Sequence, residues 1–323
     1  AHVTGNNSYD VEDTTNDQVF RGVNPAYANA IRAVQETAGV VGTYKGKLAS
    51  CYYSASNGGQ TELVENGWSG RGDWSYYQMT DDPYDLENPE SVVRRANLAK
   101  DGTSLPAAFL TVLAEQLSAP LQAAGYSVTA EALRVDGITA LTLDTPKHDA
   151  PSRMWSKLHL TFTWSARTVT YPAVDTSAPA TIAPQADEEI SLFTDTPSPA
   201  PMTETPIEAP IALPTPTATL APLYGDWQSM GETTLTLDLF PQVVRALGLS
   251  ISGTDNEMVT VKETDTAYQL QARRYGHGVG MSQRGAQWMA AMYNKTYADI
   301  LAFYYPGMEL KKVASGAQAL PTV

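Results

Sequence analysis

The sequence contains little cysteine, no long apolar run and few basic residues, and each shortage excludes a class of protein. Cys51 is the single cysteine among 323 residues, so no disulfide can form within the chain. No stretch of about eighteen consecutive apolar residues occurs, so no transmembrane segment is predicted. Lys and Arg number 21 against 35 Asp and Glu, a formal charge of −14, and the basic residues are scattered. Nucleic acid is therefore not an expected partner, because phosphate binding needs clustered basic side chains.

Hydrophobic residues make up 43% of the chain, which is enough to bury one large core or two smaller ones. A globular protein is therefore expected. The chain begins at Ala1 with polar residues and without a basic segment followed by an apolar one, the pattern of a secretory leader. We expect that a leader or anchor, and further sequence, precede Ala1 in the intact protein.

Residues 276–285 contain four glycines and lead into apolar residues with helical spacing. Because glycine has no side chain, such a turn is typical of a backbone that passes very close to another group. His277, Ser282 and Gln283 add an imidazole, a hydroxyl and an amide, which suit hydrogen bonding with a neutral polar ligand. A phosphate-binding loop is not indicated, since no Gly-Lys-Ser/Thr follows the glycines. The predicted helix is capped by Ser282 and buries Ala286, Met289, Ala290 and Tyr293.

A second loop, at residues 54–61, places hydroxyl and amide groups around two adjacent glycines. Sugars are bound by groups that both donate and accept hydrogen bonds, together with flat aromatic faces. The alternative is ordinary turn chemistry for the hydroxyls and a half-buried core for the aromatics. The polar residues of the loop are Ser54, Ser56, Asn57 and Thr61, and the neighbouring aromatics are Tyr52, Tyr53, Trp68, Trp74, Tyr76 and Tyr77.

These two blocks resemble the signature of the stage II sporulation protein D / amidase-enhancer family of bacterial cell-wall proteins. The resemblance rests on GHGVGMSQ at residues 276–283, continued by YYPG at residues 304–307, and on YSASNGGQTE at residues 53–62. Two blocks in the family's order, far apart in the chain, are more specific than either block alone. The resemblance spans most of the chain outside one proline-rich insert.

The resemblance implies an extracytoplasmic protein that acts on peptidoglycan. Family enzymes are lytic transglycosylases, which cut the bond between N-acetylmuramic acid and N-acetylglucosamine in glycan strands stripped of stem peptides. That chemistry needs a carboxylic acid to protonate the leaving oxygen. The family's catalytic Glu segment has no match in this sequence, so the catalytic residue is unknown. The expected substrate-binding residues are Tyr53, Ser54, Ser56, Asn57, Thr61, Tyr275, His277, Ser282 and Gln283.

Two functions remain open from the sequence. The first is a lytic transglycosylase, and the second is a non-catalytic glycan-binding module that enhances a partner cell-wall amidase. Peptidoglycan glycan strands are the expected partner in both, and a sporulation role is the family's best-known setting. No cofactor is expected, and the alternative is that Cys51 and His277 ligate zinc. For His277 the structural alternative is a ring that bonds a backbone carbonyl and holds the glycine turn.

Three carboxylates, Asp81, Asp82 and Asp85, cluster around a proline. One interpretation is a calcium site or a catalytic carboxylate with a raised pKa. The other is a structural turn, since Asp before Pro is a frequent turn sequence. His148, beside Asp149, and His159, within an apolar alternation, are both predicted to be surface residues.

The pattern of apolar residues predicts an α+β fold with mixed, largely antiparallel sheets and packed helices. Eleven of the 21 prolines fall between Pro172 and Pro222, which is typical of an extended or mobile insert. We therefore predict one domain in two parts, residues 1–172 and 224–323, separated by an insert at 173–223 with a candidate edge strand at 190–193. Helices are predicted at residues 25–38, 92–99, 107–121, 240–247 and 297–303, and strands at 40–44, 48–53, 135–143, 154–164, 233–238, 258–261 and 268–272.

Overall fold

The computed structural model describes residues 21–68, 72–172 and 221–313. Over these residues the architecture is α+β, as predicted. The helices are α1 (Ala28–Glu36), α2 (Val64–Gly67), α3 (Pro83–Glu87), α4 (Ala107–Gln116), α5 (Ser118–Ala123), α6 (Val244–Ala246), α7 (Gln283–Tyr293) and α8 (Tyr297–Tyr304). The strands are β1 (Val40–Tyr44), β2 (Lys47–Leu48), β3 (Tyr53–Ser54), β4 (Arg94–Ala99), β5 (Leu133–Pro146), β6 (Trp155–Ala166), β7 (Val169–Thr170), β8 (Leu223–Tyr224), β9 (Gln228–Asp238), β10 (Met258–Glu263), β11 (Ala267–Arg273), β12 (Met281–Ser282) and β13 (Glu309–Lys312).

The strands form small sheets in which nearly all pairs are antiparallel. Three sheets have three strands, in the orders β5-β6-β9, β10-β11-β4 and β13-β1-β2. Two further pairs join β12 to β3 and β7 to β8, and β12 pairs with β3 in parallel. No helix in the described part of the chain is long and apolar enough to cross a membrane.

The larger core lies between the β5-β6-β9 sheet, the β10-β11-β4 sheet and helices α4 to α6. Side chains alternate between the two faces of a strand, so every second residue of β6 and β11 enters this core. The core residues that follow this alternation are Leu158, Leu160, Phe162 and Trp164 from β6, and Tyr268, Leu270 and Ala272 from β11.

A smaller, aromatic core lies beneath the two sequence blocks. Tyr76, Tyr77, Tyr304 and Tyr305 are buried there, together with Val279 of the glycine-rich turn. Buried tyrosines need hydrogen-bond partners for their hydroxyls. Several of these hydroxyls bond to main-chain atoms of the segment just before β3, so this core fixes the position of the 54–61 loop.

Most predicted elements are confirmed, and so is the cap of α7. Asn24 caps the first helical turn, accepting a hydrogen bond of 3.0 Å from the Ala26 amide. Ser282 caps α7, accepting a hydrogen bond of 3.0 Å from the Gly285 amide, as predicted. The predicted helix at 107–121 is divided into α4 and α5 at Leu117. Pro120 has no N–H to donate, which prevents one continuous ladder of hydrogen bonds.

Three expectations were wrong in detail. The predicted helix at 92–99 is wrong, because residues 94–99 form strand β4, which pairs with β11 along its whole length and buries Leu98 in the core. The predicted second hairpin strand stops at Leu48, and Tyr53 pairs with β12 instead of β1. The apolar stripe of α7 is only partly buried. Met289 lies in the smaller core, whereas Ala290 and Tyr293 are exposed.

The described residues on either side of the proline-rich stretch lie together at one place. Strand β7, before this stretch, pairs antiparallel with β8, whose Leu223 is the last residue of the predicted insert. Residues 173–220, including the candidate edge strand at 190–193, lie outside the described residues. The boundaries of the insert remain a prediction.

Candidate functional site

The two sequence blocks lie side by side. Met281 and Ser282 pair in parallel with Tyr53 and Ser54. Main-chain hydrogen bonds extend the contact on both sides of this pair. The Tyr275 amide donates to the Ser56 carbonyl at 2.9 Å, and the Glu62 amide donates to the Gly278 carbonyl at 2.9 Å. Two segments far apart in the sequence are thus joined by a continuous set of main-chain hydrogen bonds.

The glycines of the 276–285 turn permit close packing of the protein against itself. Gly280 has a φ of +69°, and a Cβ at this position would lie 2.2 Å from the Tyr52 carbonyl oxygen. Gly278 has a φ of +75°, and its Cβ would lie 2.7 Å from the guanidinium carbon of Arg274. The predicted close approach is therefore confirmed, and the neighbouring groups are the main chain before β3 and a buried arginine.

A buried carboxylate, Asp85, joins the two blocks. It accepts hydrogen bonds from the Ser56 hydroxyl at 2.9 Å, the Gly58 amide at 2.9 Å and the Ser282 hydroxyl at 2.8 Å. The Ser91 hydroxyl lies 3.3 Å from the same carboxylate. A carboxylate has two oxygens and accepts only, so several donors from separate segments satisfy it. Asp85 is therefore the point at which the first block, the second block and α3 are held together.

Asp82 forms a second buried centre beside Asp85. It accepts hydrogen bonds from the Asn57 amide at 2.7 Å and the Tyr304 hydroxyl at 2.6 Å. Burial raises the pKa of Asp82, and these hydrogen bonds act in the opposite direction. Asp81, by contrast, is exposed and lies 3.0 Å from Arg153. The structural interpretation of the Asp cluster is thus the one that agrees with the geometry.

The predicted site residues separate into a buried group and an exposed group. Ser54, Ser56, Asn57, Thr61 and Ser282 are buried. All of these except Ser54 hydrogen-bond within the protein, and the Ser54 hydroxyl has no partner among the described residues. The exposed group, which can meet a ligand directly, consists of Tyr53, Tyr275 and Gln283. Substrate contact by either group remains a prediction.

His277 lies half-buried between the two groups. Its Nδ1 accepts a hydrogen bond of 3.0 Å from the Val279 amide, so this nitrogen carries no proton. The ring meets Trp68 edge to face, with centroids 4.8 Å apart. The imidazole thus holds the glycine turn closed, and the same ring forms part of an aromatic surface.

That aromatic surface continues from Trp68 to other rings of the first block. Tyr52 lies edge to face with Trp68 at 4.9 Å between centroids, and Trp74 lies 5.8 Å from Tyr52. Tyr53 and Tyr275 retain 39% and 47% of their accessible surface. A surface with both aromatic faces and polar tips is chemically suited to a sugar ring.

A buried ion pair that the sequence reasoning missed lies behind this surface. Arg274 and Glu62 are each almost fully buried, and their charged groups are 3.4 Å apart. Arg274 also donates to the Asn57 carbonyl at 2.9 Å and to the Gln60 carbonyl at 3.0 Å. Two features of the sequence could have indicated this ion pair. Arg274 lies two residues before the glycine turn, and Glu62 ends the first block.

The weak zinc alternative gains no support from side-chain clustering. No group of three or more His, Cys, Asp and Glu side chains with metal-binding geometry occurs among the described residues. Cys51 is exposed, and its thiol lies 3.5 Å from the Met308 sulfur. A zinc site through Cys51 and His277 therefore remains an untested expectation.

Acidification is expected to loosen the His277 turn. Burial lowers the pKa of His277, and the charge of Arg274 lowers it further, while a hydrogen bond to the Tyr53 backbone acts in the opposite direction. Because the folded-state pKa lies below the unfolded value of about 6.5, the stabilisation is complete above that pH and is lost as the pH falls toward the folded-state pKa. An NMR titration should give a ring pKa below about 6.5, and stability should fall less on acidification in His277→Gln. A ring pKa at or above the ordinary value would contradict this expectation.

Comparison with known proteins agrees with the geometry. No family model matches the chain. The chain is 28% identical over 309 residues to the amidase enhancer of Bacillus subtilis, a match that covers 93% of this chain and 35% of that protein. It is also 43% identical over 51 residues to an uncharacterized protein of Brachyspira hyodysenteriae, covering 16% of this chain and 14% of that one. With both blocks joined in one structure and a relative matched along nearly the whole chain, the predicted resemblance to the stage II sporulation protein D / amidase-enhancer family is confirmed.

Proposed function

We propose that this chain binds peptidoglycan glycan strands at the surface where the two blocks meet, within an extracytoplasmic protein that enhances a cell-wall amidase. The pairing of β12 with β3 carries the proposal, because it places exposed Tyr53, Tyr275 and Gln283 beside Trp68 and His277. The name of the Bacillus subtilis relative supports the amidase-enhancing part.

The polar groups of this surface suit the hydroxyl and N-acetyl groups of a sugar better than a charged group. Its polar groups are a phenol, an amide and a half-buried imidazole, which donate and accept without a fixed charge. Burial lowers the pKa of His277 and so favours the neutral ring. Edge-to-face packing orients Trp68 and Tyr52, so little side-chain freedom is lost when a ligand binds.

A more specific proposal is that the protein also cleaves the strand by lytic transglycosylase chemistry. That reaction needs an acid that reaches the sugar. Glu62, Asp82 and Asp85 are buried and hydrogen-bonded within the protein, so we give them a structural role. The family resemblance instead gives the acid to a Glu segment that has no match in this sequence. Release of 1,6-anhydro products from stripped strands would support cleavage.

Replacing Trp68 tests glycan binding directly. Trp68→Ala is expected to weaken cosedimentation with amidase-treated glycan strands about tenfold, because aromatic anchors contribute strongly to binding. The matched control is Trp227→Ala. Trp227 packs against Arg167, with the guanidinium carbon 4.3 Å from the ring centroid, and belongs to neither block.

The control separates a specific site from a general loss of aromatic surface. Trp227→Ala should bind strands as the wild type does, provided that circular dichroism shows both variants folded. An equal loss in the two variants would contradict the proposed site. Amidase enhancement is measured separately, as the rate at which a cell-wall amidase releases stem peptides with and without the chain. An unchanged rate would leave glycan binding as the supported function.

A further inference from the structure

A second concave site lies beside the two blocks, on the outer face of the β10-β11-β4 sheet. It is a cavity of about 350 Å³ between Gly58 of the first block, Leu86 of α3, Trp155 at the start of β6 and Thr260 of β10. Arg273, at the end of β11, completes the wall. The lining therefore combines apolar surface with a guanidinium group.

Arg273 points into this cavity because of the strand alternation. Ala272 and Leu270 turn into the larger core, so Arg273 lies on the opposite face of β11. Its side chain is half-buried and makes no hydrogen bond or ion pair with any residue that the structure describes. A guanidinium offers five donors, and partial burial without an acceptor is unfavourable. The neighbouring Arg274 differs sharply, since carbonyls and Glu62 satisfy it.

The charge around the cavity is positive in an otherwise acidic chain. Arg153 also lines the cavity, held by the Gly59 carbonyl at 2.7 Å and by Asp81 at 3.0 Å. Burial lowers the pKa of Arg273, the charge of the buried Asp85 acts in the opposite direction, and the charge of Arg95 lowers the pKa further. The chain carries a formal charge of −14, so a basic cavity attracts an anion against the overall charge of the protein.

We propose that this cavity binds a carboxylate carried on a sugar, with the Arg273 guanidinium paired to the carboxylate and the Trp155 ring against the sugar face. A planar fork of donors matches the two oxygens of a carboxylate. This assignment rests on the proposed function and specifies the chemical group of the glycan strand that the cavity binds, a carboxylate. Removing a stem peptide from muramic acid hydrolyses an amide and leaves a free lactyl carboxylate. The site therefore distinguishes stripped strands from strands that still carry peptides.

Calorimetric titration with N-acetylmuramic acid and N-acetylglucosamine tests the carboxylate site without any strand. The wild type is expected to bind the acid about tenfold more tightly than the neutral sugar, since hydrogen bonds to charged groups are strong. Arg273→Gln should abolish this difference. The matched control is Arg94→Gln, an exposed arginine of β4 that pairs with Ala272 and so lies on the opposite face of the same sheet.

Each outcome decides one of the two proposals. Equal affinity of the wild type for the two sugars, or an equal loss in Arg94→Gln, overturns the carboxylate site. Tighter binding of the acidic dipeptide Ala-Glu than of N-acetylmuramic acid, lost in Arg273→Gln, assigns the site to stem peptides and overturns the sugar assignment. Selective binding of N-acetylmuramic acid, with no binding of stripped strands, supports the cavity and contradicts the proposed function.

Discussion

Asp85→Ala is expected to destabilise the protein by at least about 3 kcal/mol, because it removes a buried carboxylate and leaves several buried donors without an acceptor. The donors are the Ser56 hydroxyl, the Gly58 amide and the Ser282 hydroxyl, all within 2.9 Å of Asp85. They belong to separate segments, so losing their common acceptor loosens the first block from the second. Urea unfolding, followed by tryptophan fluorescence, measures the effect as a fall in the midpoint.

The control for Asp85 is its near neighbour in sequence. The Asp81 side chain is 72% exposed, its ion pair is with the 48% exposed Arg153 and its contact with Gln60 is long at 3.4 Å, so Asp81→Ala should change the free energy of unfolding by less than about 0.5 kcal/mol. Asp85→Asn gives a finer test, because the amide places a donor where donors already converge. Asp85→Asn should therefore be clearly destabilised as well. Equal stability of the Asp85→Ala and Asp81→Ala variants would contradict the role assigned to Asp85.

The fold was largely predictable where apolar periodicity was strong. Strands β6 and β11 alternate strictly, and both were predicted near their observed bounds. Strand β4 was predicted as a helix because Val92, Val93 and Ala96 have helical spacing. Pairing with β11 decided the outcome, and that partner lies far away in the sequence. Long-range pairing of this kind overrides local propensity.

The candidate site was predictable in position but not in orientation. The sequence assigned both blocks to one predicted domain, and the structure pairs them directly. Residue types alone do not show whether Ser56 and Ser282 turn toward solvent or toward a buried carboxylate. The orientation of these hydroxyls depends on Asp85, which lies on α3, in the part of the sequence between the two blocks. Similarly, adjacent Arg273 and Arg274 look alike in sequence, yet one lines a cavity and the other is fully buried.

Arg274→Met is expected to destabilise the protein by about 4 kcal/mol, since it leaves Glu62 as an unpaired charge in the interior. Arg274 is 1% exposed and also donates to the Asn57 and Gln60 carbonyls. Methionine restores neither the charge nor the donors, although it fills most of the space. Urea unfolding of the variant at neutral pH measures the loss, and Arg273→Met serves as the neighbouring control with an expected change below about 1 kcal/mol.

A double-mutant cycle separates the ion pair from the carbonyl contacts. Glu62→Gln removes the carboxylate charge that faces Arg274 and keeps a side chain of similar shape. If the charges interact as their separation of 3.4 Å implies, the double variant Glu62→Gln/Arg274→Met should be about 1–3 kcal/mol more stable than the sum of the single changes predicts. Strict additivity would mean that Arg274 stabilises the blocks through the Asn57 and Gln60 carbonyls alone. Because Arg274 lies two residues before Gly276, either result shows which of its contacts stabilises the start of the glycine turn against the first block.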